Sequence, residues 1–159
     1  ALESRDTPTC LSLSRQKLPF FERDSARIAA IARGGYVLRD CRGTPEIILL
    51  ATGSEVALAV EAAEQLNAGG RRARVVSMPC AEIFDAQDAA WKESVLPSAV
   101  RCRLAVEAAS PDYWHKYVGL DGAVLGIHSF GASAPGSVMF ERFGFTTANV
   151  LEKARDLLK

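Results

Sequence analysis

The stretch EIILLATGSEVALAVEAAEQL, Glu46 to Leu66, changes its hydrophobic period halfway along. Ile47, Ile48, Leu49, Leu50 and Ala51 form an unbroken apolar run, the pattern of a strand covered on both faces. Beyond Thr52-Gly53-Ser54, Val56, Ala59, Val60, Ala63 and Leu66 recur at helical spacing. Gly69-Gly70 then stops the helix, because glycine tolerates the left-handed backbone found just past a helix end. A buried strand, a tight turn and a helix folding back make the first half of a βαβ unit. An α/β sheet with parallel strands follows.

Outward from that unit, Arg74 to Met78 (RVVSM) is expected as a second parallel strand. Arg103 to Ala108 (RLAVEA) is a third, and Ala123 to Ile127 (AVLGI) the last. Tyr36 to Leu38 is a short strand, and the turn Cys41 to Pro45 would pair it with the central strand as a hairpin. Helices are expected over Glu22 to Arg33, capped by Asp24 or Ser25 and ended by Gly34-Gly35, and over Asp85 to Ser94, broken by Pro97. Helical turns are expected over Asp112 to Tyr117 and Ser137 to Phe143. Thr146 caps a final amphipathic helix that runs through Leu158. Thr9 to Leu13 (TCLSL) alternates and has strand character, with a polar turn from Ser14 to Pro19 behind it. Residues 1–8 are polar and patternless, and there is no internal repeat or low-complexity segment.

A length of 159 residues suits one domain or one domain with an extension, and a 48% hydrophobic content suffices for a core. Lys+Arg and Asp+Glu both number 19, so nothing in the charge balance points to nucleic acid or an anionic membrane. No apolar run is long enough to cross a bilayer, and no secretory signal opens the chain. Cys10, Cys41, Cys80 and Cys102 form no CxxC pair and lie away from both histidines, so zinc-site spacing is absent. Reduced, non-catalytic thiols and a cytoplasmic location are expected. Alanine stands first, so a fragment or a processed product is the expectation.

Several residues are candidates for chemistry. The turn Thr52, Gly53, Ser54 lies where open α/β sheets hold ligands, and the first amides of a helix favour an anion. The plainer reading is that Thr52 or Ser54 caps the helix while Glu55 settles against its positive end, worth roughly 0.3–1 kcal/mol. GxGxxG and GxxxxGK[ST] are both missing, which argues against a nucleotide. Arg15 follows the TCLSL segment, and its guanidinium fork suits a phosphate monoester. Taken alone it is an ordinary surface arginine. His115 and His128 lack a companion carboxylate at a telling spacing, so loop or surface histidine is the simpler reading. Glu107 ends a buried strand, and a functional and a structural carboxylate are equally compatible with that place. The aromatics from Trp91 to Phe145 fit core or interface better than a cofactor box.

Longer motifs carry a resemblance. SRQKLP (Ser14 to Pro19), IARGGYVLRD (Ile31 to Asp40), ATGSEV (Ala51 to Val56), RVVSMPC (Arg74 to Cys80), FDAQDAAWKESVLP (Phe84 to Pro97), YWHKYVG (Tyr113 to Gly119), FGASAP (Phe130 to Pro135) and FGFT (Phe143 to Thr146) resemble the C-terminal part of transketolase, bacterial ones in particular. The resemblance runs in order from about Thr9 to the end. It implies a three-layer α/β/α domain with a mixed five-stranded sheet, four strands parallel and one antiparallel. In that family the first strand does not pair with the second, so the hairpin is set aside. Residues 1–30 would be the tail of the preceding pyrimidine-binding domain, a strand and a connecting helix, and 31–159 the C-terminal domain.

The resemblance further implies an enzyme of the pentose phosphate pathway that moves a two-carbon ketol unit between sugar phosphates. It implies thiamine diphosphate with a divalent cation, Mg or Ca, in a homodimer. The arginine of the family's SRQ motif contacts the substrate phosphate, and Arg15 occupies it. The catalytic histidines and the metal-binding motif lie upstream, so this chain is expected to contain no catalytic and no metal residue and to be inactive alone. Two departures stand out. Lys17 replaces the usual asparagine of SRQNLP, adding charge beside Arg15, and His128 stands where a small polar or acidic residue is more common. The alternatives are a free-standing small-anion regulatory module using Thr52 to Glu55, an interaction module using Tyr113 to Tyr117, and the matching domain of another thiamine enzyme such as a deoxyxylulose-phosphate synthase or a 2-oxo acid dehydrogenase.

Overall fold

The computed structural model describes residues 5–159. Of the expected 1–30 segment, residues 1–4 lie outside the described residues. Five strands form one sheet in the order β1-β3-β2-β4-β5, with β1 (Tyr36–Arg39), β2 (Ile47–Ala51), β3 (Ala73–Ser77), β4 (Arg103–Val106) and β5 (Ala123–Leu125). β1 runs antiparallel to β3, and the other three pairings are parallel. The hairpin between β1 and β2 is therefore absent. β3 takes the place beside β2, through the full register Ile47↔Ala73 to Ala51↔Ser77, and β1 is left to the outer edge.

β2 explains the layers. All five of its residues are wholly buried, and alternate side chains enter different cores. Ile47, Leu49 and Ala51 pack with α2 (Val56–Ala68) and α7 (Thr147–Leu157) through Ala59, Val60, Ala63, Val150 and Ala154. Ile48 and Leu50 pack on the opposite face with Phe84, Val95, Trp114 and Tyr117. Those come from α3 (Ala81–Asp85), α4 (Ala89–Val95), a 3₁₀ turn over Pro111–Trp114, and α5 (His115–Val118). Burying the four large β2 side chains contributes about 1.5–3 kcal/mol each. Helices on both faces of a mixed sheet complete a three-layer α/β/α fold.

Three local expectations need correction. The helix expected over Asp85 to Ser94 begins later, at Ala89: Asp85 is the last residue of α3, and the Asp88 carboxylate accepts the Trp91 amide at 2.7 Å and starts α4. Thr9 to Leu13 is irregular, with Leu11 69% and Leu13 79% exposed. An alternating pattern makes a strand only when a neighbour completes its ladder, and none of the five strands pairs with it. The first helix, α1 (Ser25–Ile31), is shorter than expected and is capped by Asp24, which accepts from the Arg27 amide at 2.8 Å. α6 (Gly136–Arg142) and the Thr146 cap of α7 match their expected places. Among the described residues no helix is long and apolar enough to cross a membrane.

Two contacts hold connections against the sheet. The Arg103 guanidinium donates to four carbonyls: Val100 at 2.8 Å, Tyr117 at 2.7 Å, Leu96 at 3.1 Å and Pro97 at 2.9 Å. One side chain thus closes the α4–β4 loop and the end of α5. Gly34, at φ +82°, lets α1 turn into β1 with its backbone against α3; a Cβ there would lie 2.3 Å from the Cys80 carbonyl oxygen and 2.5 Å from the Phe84 amide nitrogen. Arg103→Met removes the donors and keeps the stem, so a loss of about 2–4 kcal/mol is expected. Urea unfolding measures it, and Arg103→Lys should recover only part, since an ammonium lacks the fork. Gly34→Ala combines left-handed strain of about 1–2 kcal/mol with a backbone clash of about 1–3 kcal/mol. Its melting temperature should fall by well over that of Gly43→Ala, where the φ is also positive but no atom lies within 4 Å of the added Cβ.

Candidate functional site

The chain crosses from one side of β2 to the other at β4, so the loops after β2 and β4 diverge at a topological switch point, the usual ligand crevice of such sheets. Thr52, Gly53 and Ser54 form the first of those loops. Thr52 is extended, Gly53 has φ +54°, and a 3₁₀ turn over Gly53–Glu55 leads into α2. Neither Thr52 nor Ser54 caps the helix, contrary to expectation. The Ser54 hydroxyl donates instead to Glu55 Oε1 at 3.1 Å.

Glu55 is 4% exposed, one of two buried polar residues among the described residues. Its amide donates to the Thr52 carbonyl at 3.2 Å. Burial pushes its carboxyl above the ordinary range, outweighing the Ser54 hydroxyl's bond. The helix N-terminus at the switch point therefore already faces a carboxylate of the protein itself. An incoming phosphate would meet that charge.

Glu107 continues β4 past Val106, the register partner of Ala51. Its amide donates to the Leu125 carbonyl at 3.0 Å, and its Oε2 is enclosed without a hydrogen-bond partner. Burial, and then the charge of Glu55, raise its carboxyl to about 7. Glu55 and Glu107 were separate features in the sequence. The signal that could have joined them is that each follows an apolar strand directly or after a short turn, and both strands belong to one parallel set.

Arg15 sits on an irregular, exposed segment and makes no hydrogen bond or ion pair with the described residues. Lys17 is exposed beside it. A few residues on, the chain is anchored. Arg23 donates to the Tyr36 hydroxyl at 2.8 Å and to the Phe21 carbonyl at 2.7 Å, and the Arg39 guanidinium stands 5.8 Å from the centre of the Phe21 ring. Leu18, Pro19 and Phe21 line a cleft of about 220 Å³ together with Gly53, Ser54 and Ser77. The segment that carries Arg15 thus approaches the Thr52-to-Ser54 turn at the carboxyl edge of the sheet.

His115 and His128 are exposed on separate elements and form no ion pair among the described residues. His128 lines a cleft of about 470 Å³ after β4 and β5 with Ser110, Asp112 and the fully exposed Phe130. Lys116 belongs to a structural cluster: it donates to Asp85 at 2.6 Å, as Tyr117 does at 2.9 Å, and this ties α5 to α3. All four cysteines are free. Among the described residues no group of three or more His, Cys, Asp or Glu could hold a metal ion.

Residues 34–146 match the model of the transketolase-like TK C-terminal domain. The chain is 60% identical over 157 residues to transketolase 1 of Escherichia coli K12 and 55% identical over 158 residues to transketolase 2 of Aliivibrio fischeri. Both alignments cover 99% of this chain and 24% of the relative, so the chain spans about a quarter of their length. Among solved structures, the Pichia stipitis transketolase complex with sedoheptulose 7-phosphate superimposes with a TM-score of 0.80 at 40% identity, covering 91% of this chain and 20% of that one. Leishmania mexicana transketolase gives 0.76 at 41% identity, covering 82% and 19%. With its antiparallel outer strand, its four parallel strands and these matches along nearly its whole length, the chain belongs to the transketolase C-terminal domain family.

Proposed function

We propose that this chain works as the C-terminal quarter of a transketolase of the pentose phosphate pathway, a cytoplasmic homodimer that moves a two-carbon ketol unit between sugar phosphates. The supporting observation is identity of 55–60% to bacterial transketolases over essentially the whole chain. The rest of the full-length enzyme would hold thiamine diphosphate and its Mg or Ca ion, a cofactor that supplies the carbon–carbon chemistry. This chain's residues hold no part of it.

Residues 1–30 are the tail of the preceding domain, and 31–159 are the C-terminal domain. Exposure of Leu11, Leu13 and Phe20 supports that division, since they are large apolar side chains with no cover in this chain. Arg15 grips the phosphate of the sugar. Its guanidinium offers a fork of donors, stays charged at any working pH, and is unspent on other partners among the described residues. A grip remote from the reacting carbons supplies binding energy that positions them. Lys17 adds a second cation nearby. The isolated chain is inactive, because it lacks both the cofactor site and the proton-shuttling groups.

In the full-length enzyme, Arg15→Ala should lower kcat/KM for phosphorylated sugars by roughly 10- to 100-fold, the worth of one or two charge-assisted bonds. The loss should be much smaller for an unphosphorylated donor. A coupled assay with both donors checks this, and equal losses would remove the phosphate from the explanation. The same assay on the 159-residue chain, with thiamine diphosphate and magnesium, should show no turnover.

A further inference from the structure

Two clefts open on one edge of the sheet. Leu18, Pro19 and Phe21 line the first, with Gly53 and Ser54 after β2 and Ser77 at the end of β3. The second lies after β4 and β5, with Pro111 on one side and His128 on the other. These four strands are parallel, so both clefts lie at their carboxyl ends. In the order β2-β4-β5, β2 and β5 are two strand spacings apart, roughly 10 Å.

An aromatic side chain stands bare at each cleft. Phe20, between two lining residues of the first, is 83% exposed; Phe130, which lines the second, is 100% exposed. Residues 128–138 are exposed throughout, and α6 buries none of its residues. Ser110, Asp112, His128 and Ser129 line the second cleft with Phe130. One apolar ring among polar neighbours is the pattern of an interface anchor within its rim. Leu120 is also 100% exposed, but it precedes β5 and so lies at the opposite, amino edge.

The course of the chain says what covers the carboxyl edge. The segment leading into α1 and β1 meets the sheet there, at the cleft of Leu18 to Phe21. This chain covers 24% of the transketolases it resembles, and most of their length lies outside it. A domain of ordinary size has a radius of gyration of about 13 Å. A body of that size seated on Phe20 therefore extends over the roughly 10 Å to the second cleft.

We propose that in the full-length protein Phe130 and the exposed run 128–138 dock onto the preceding domain of the same chain, as a second anchor beside Phe20. This rests on the proposed function, which assigns residues 1–30 to that domain. The docked surface offers an apolar pocket for the ring and polar groups for Asp112 and His128. A single contact at the tail would let this domain swivel; the second fixes its orientation. The amino edge, with Leu120 and the Arg101–Asp121 ion pair, stays in solvent.

Hydroxyl-radical footprinting of the full-length protein tests this, each side chain being compared in buffer and in urea. Phe130 should be oxidised about tenfold or more slowly in buffer, the protection of a contact that is seldom open. Leu120 should be oxidised at nearly the same rate in both. A Phe130 as reactive in buffer as in urea overturns the proposal. So does a Phe130 that becomes reactive when the protein is diluted to monomers, since its cover is then a second copy. Phe130→Ala removes a ring that this chain leaves in water, so the domain itself keeps its fold. In that variant the protection of Phe20 should fall about tenfold, the weight of an aromatic anchor, while Leu120→Ala leaves it unchanged. Unchanged protection of Phe20 in Phe130→Ala overturns the second anchor. The footprint needs no turnover, so a full-length protein without ketol transfer counts against the proposed function and not against the docking.

Discussion

A strand buried on both faces has no solvent side, and β2 is such a strand along its whole length. Its backbone donors and acceptors must be met on both edges, and β3 and β4 meet them. Its side chains must be covered above and below, and α2 with α7 on one face and α3 to α5 on the other do so. To place parallel neighbours on both sides of β2, the chain has to reverse its direction of winding once. That reversal creates the diverging loops at the carboxyl edge. The crevice is therefore a consequence of covering β2 rather than an addition to the fold.

The parts legible in the sequence are those set by local pattern. An apolar run of strand length, a helix-period segment behind it and a glycine stop are properties of a few consecutive residues, and β2 with α2 matched them. Pairing is not local. The short Cys41 to Pro45 turn made a β1–β2 hairpin reasonable, but a central β2 already has β3 and β4 on its edges, and β1 can only join outside. The TCLSL segment shows the same limit from the other side. Alternation describes a strand that has a sheet, and no strand here accepts it.

Side-chain partners were less legible still. Ser54 stands at the usual place of a helix cap, yet its hydroxyl turns to Glu55, because a buried carboxylate is a stronger acceptor that needs its donors more than an exposed amide needs a cap. Glu55 and Glu107 lie far apart in the chain, and only parallel register brings Ala51 beside Val106 and so both carboxyls to one edge. Arg103 looked like the polar start of a strand; its four carbonyl contacts come from a loop and a helix end that sequence spacing does not join.

Charge divides this end of the molecule into two parts. The sheet edge carries Glu55 and Glu107, with no cation acting on Glu107. The segment that approaches it carries Arg15 and Lys17, both exposed. A phosphate held directly over the Thr52-to-Ser54 amides would gain from the helix end but sit against a buried carboxylate, and unscreened repulsion in low dielectric outweighs a helix-end gain of about 0.3–1 kcal/mol. That repulsion argues against an anion at the switch point, and leaves the sheet edge to meet Leu18, Pro19 and Phe21 of the incoming segment.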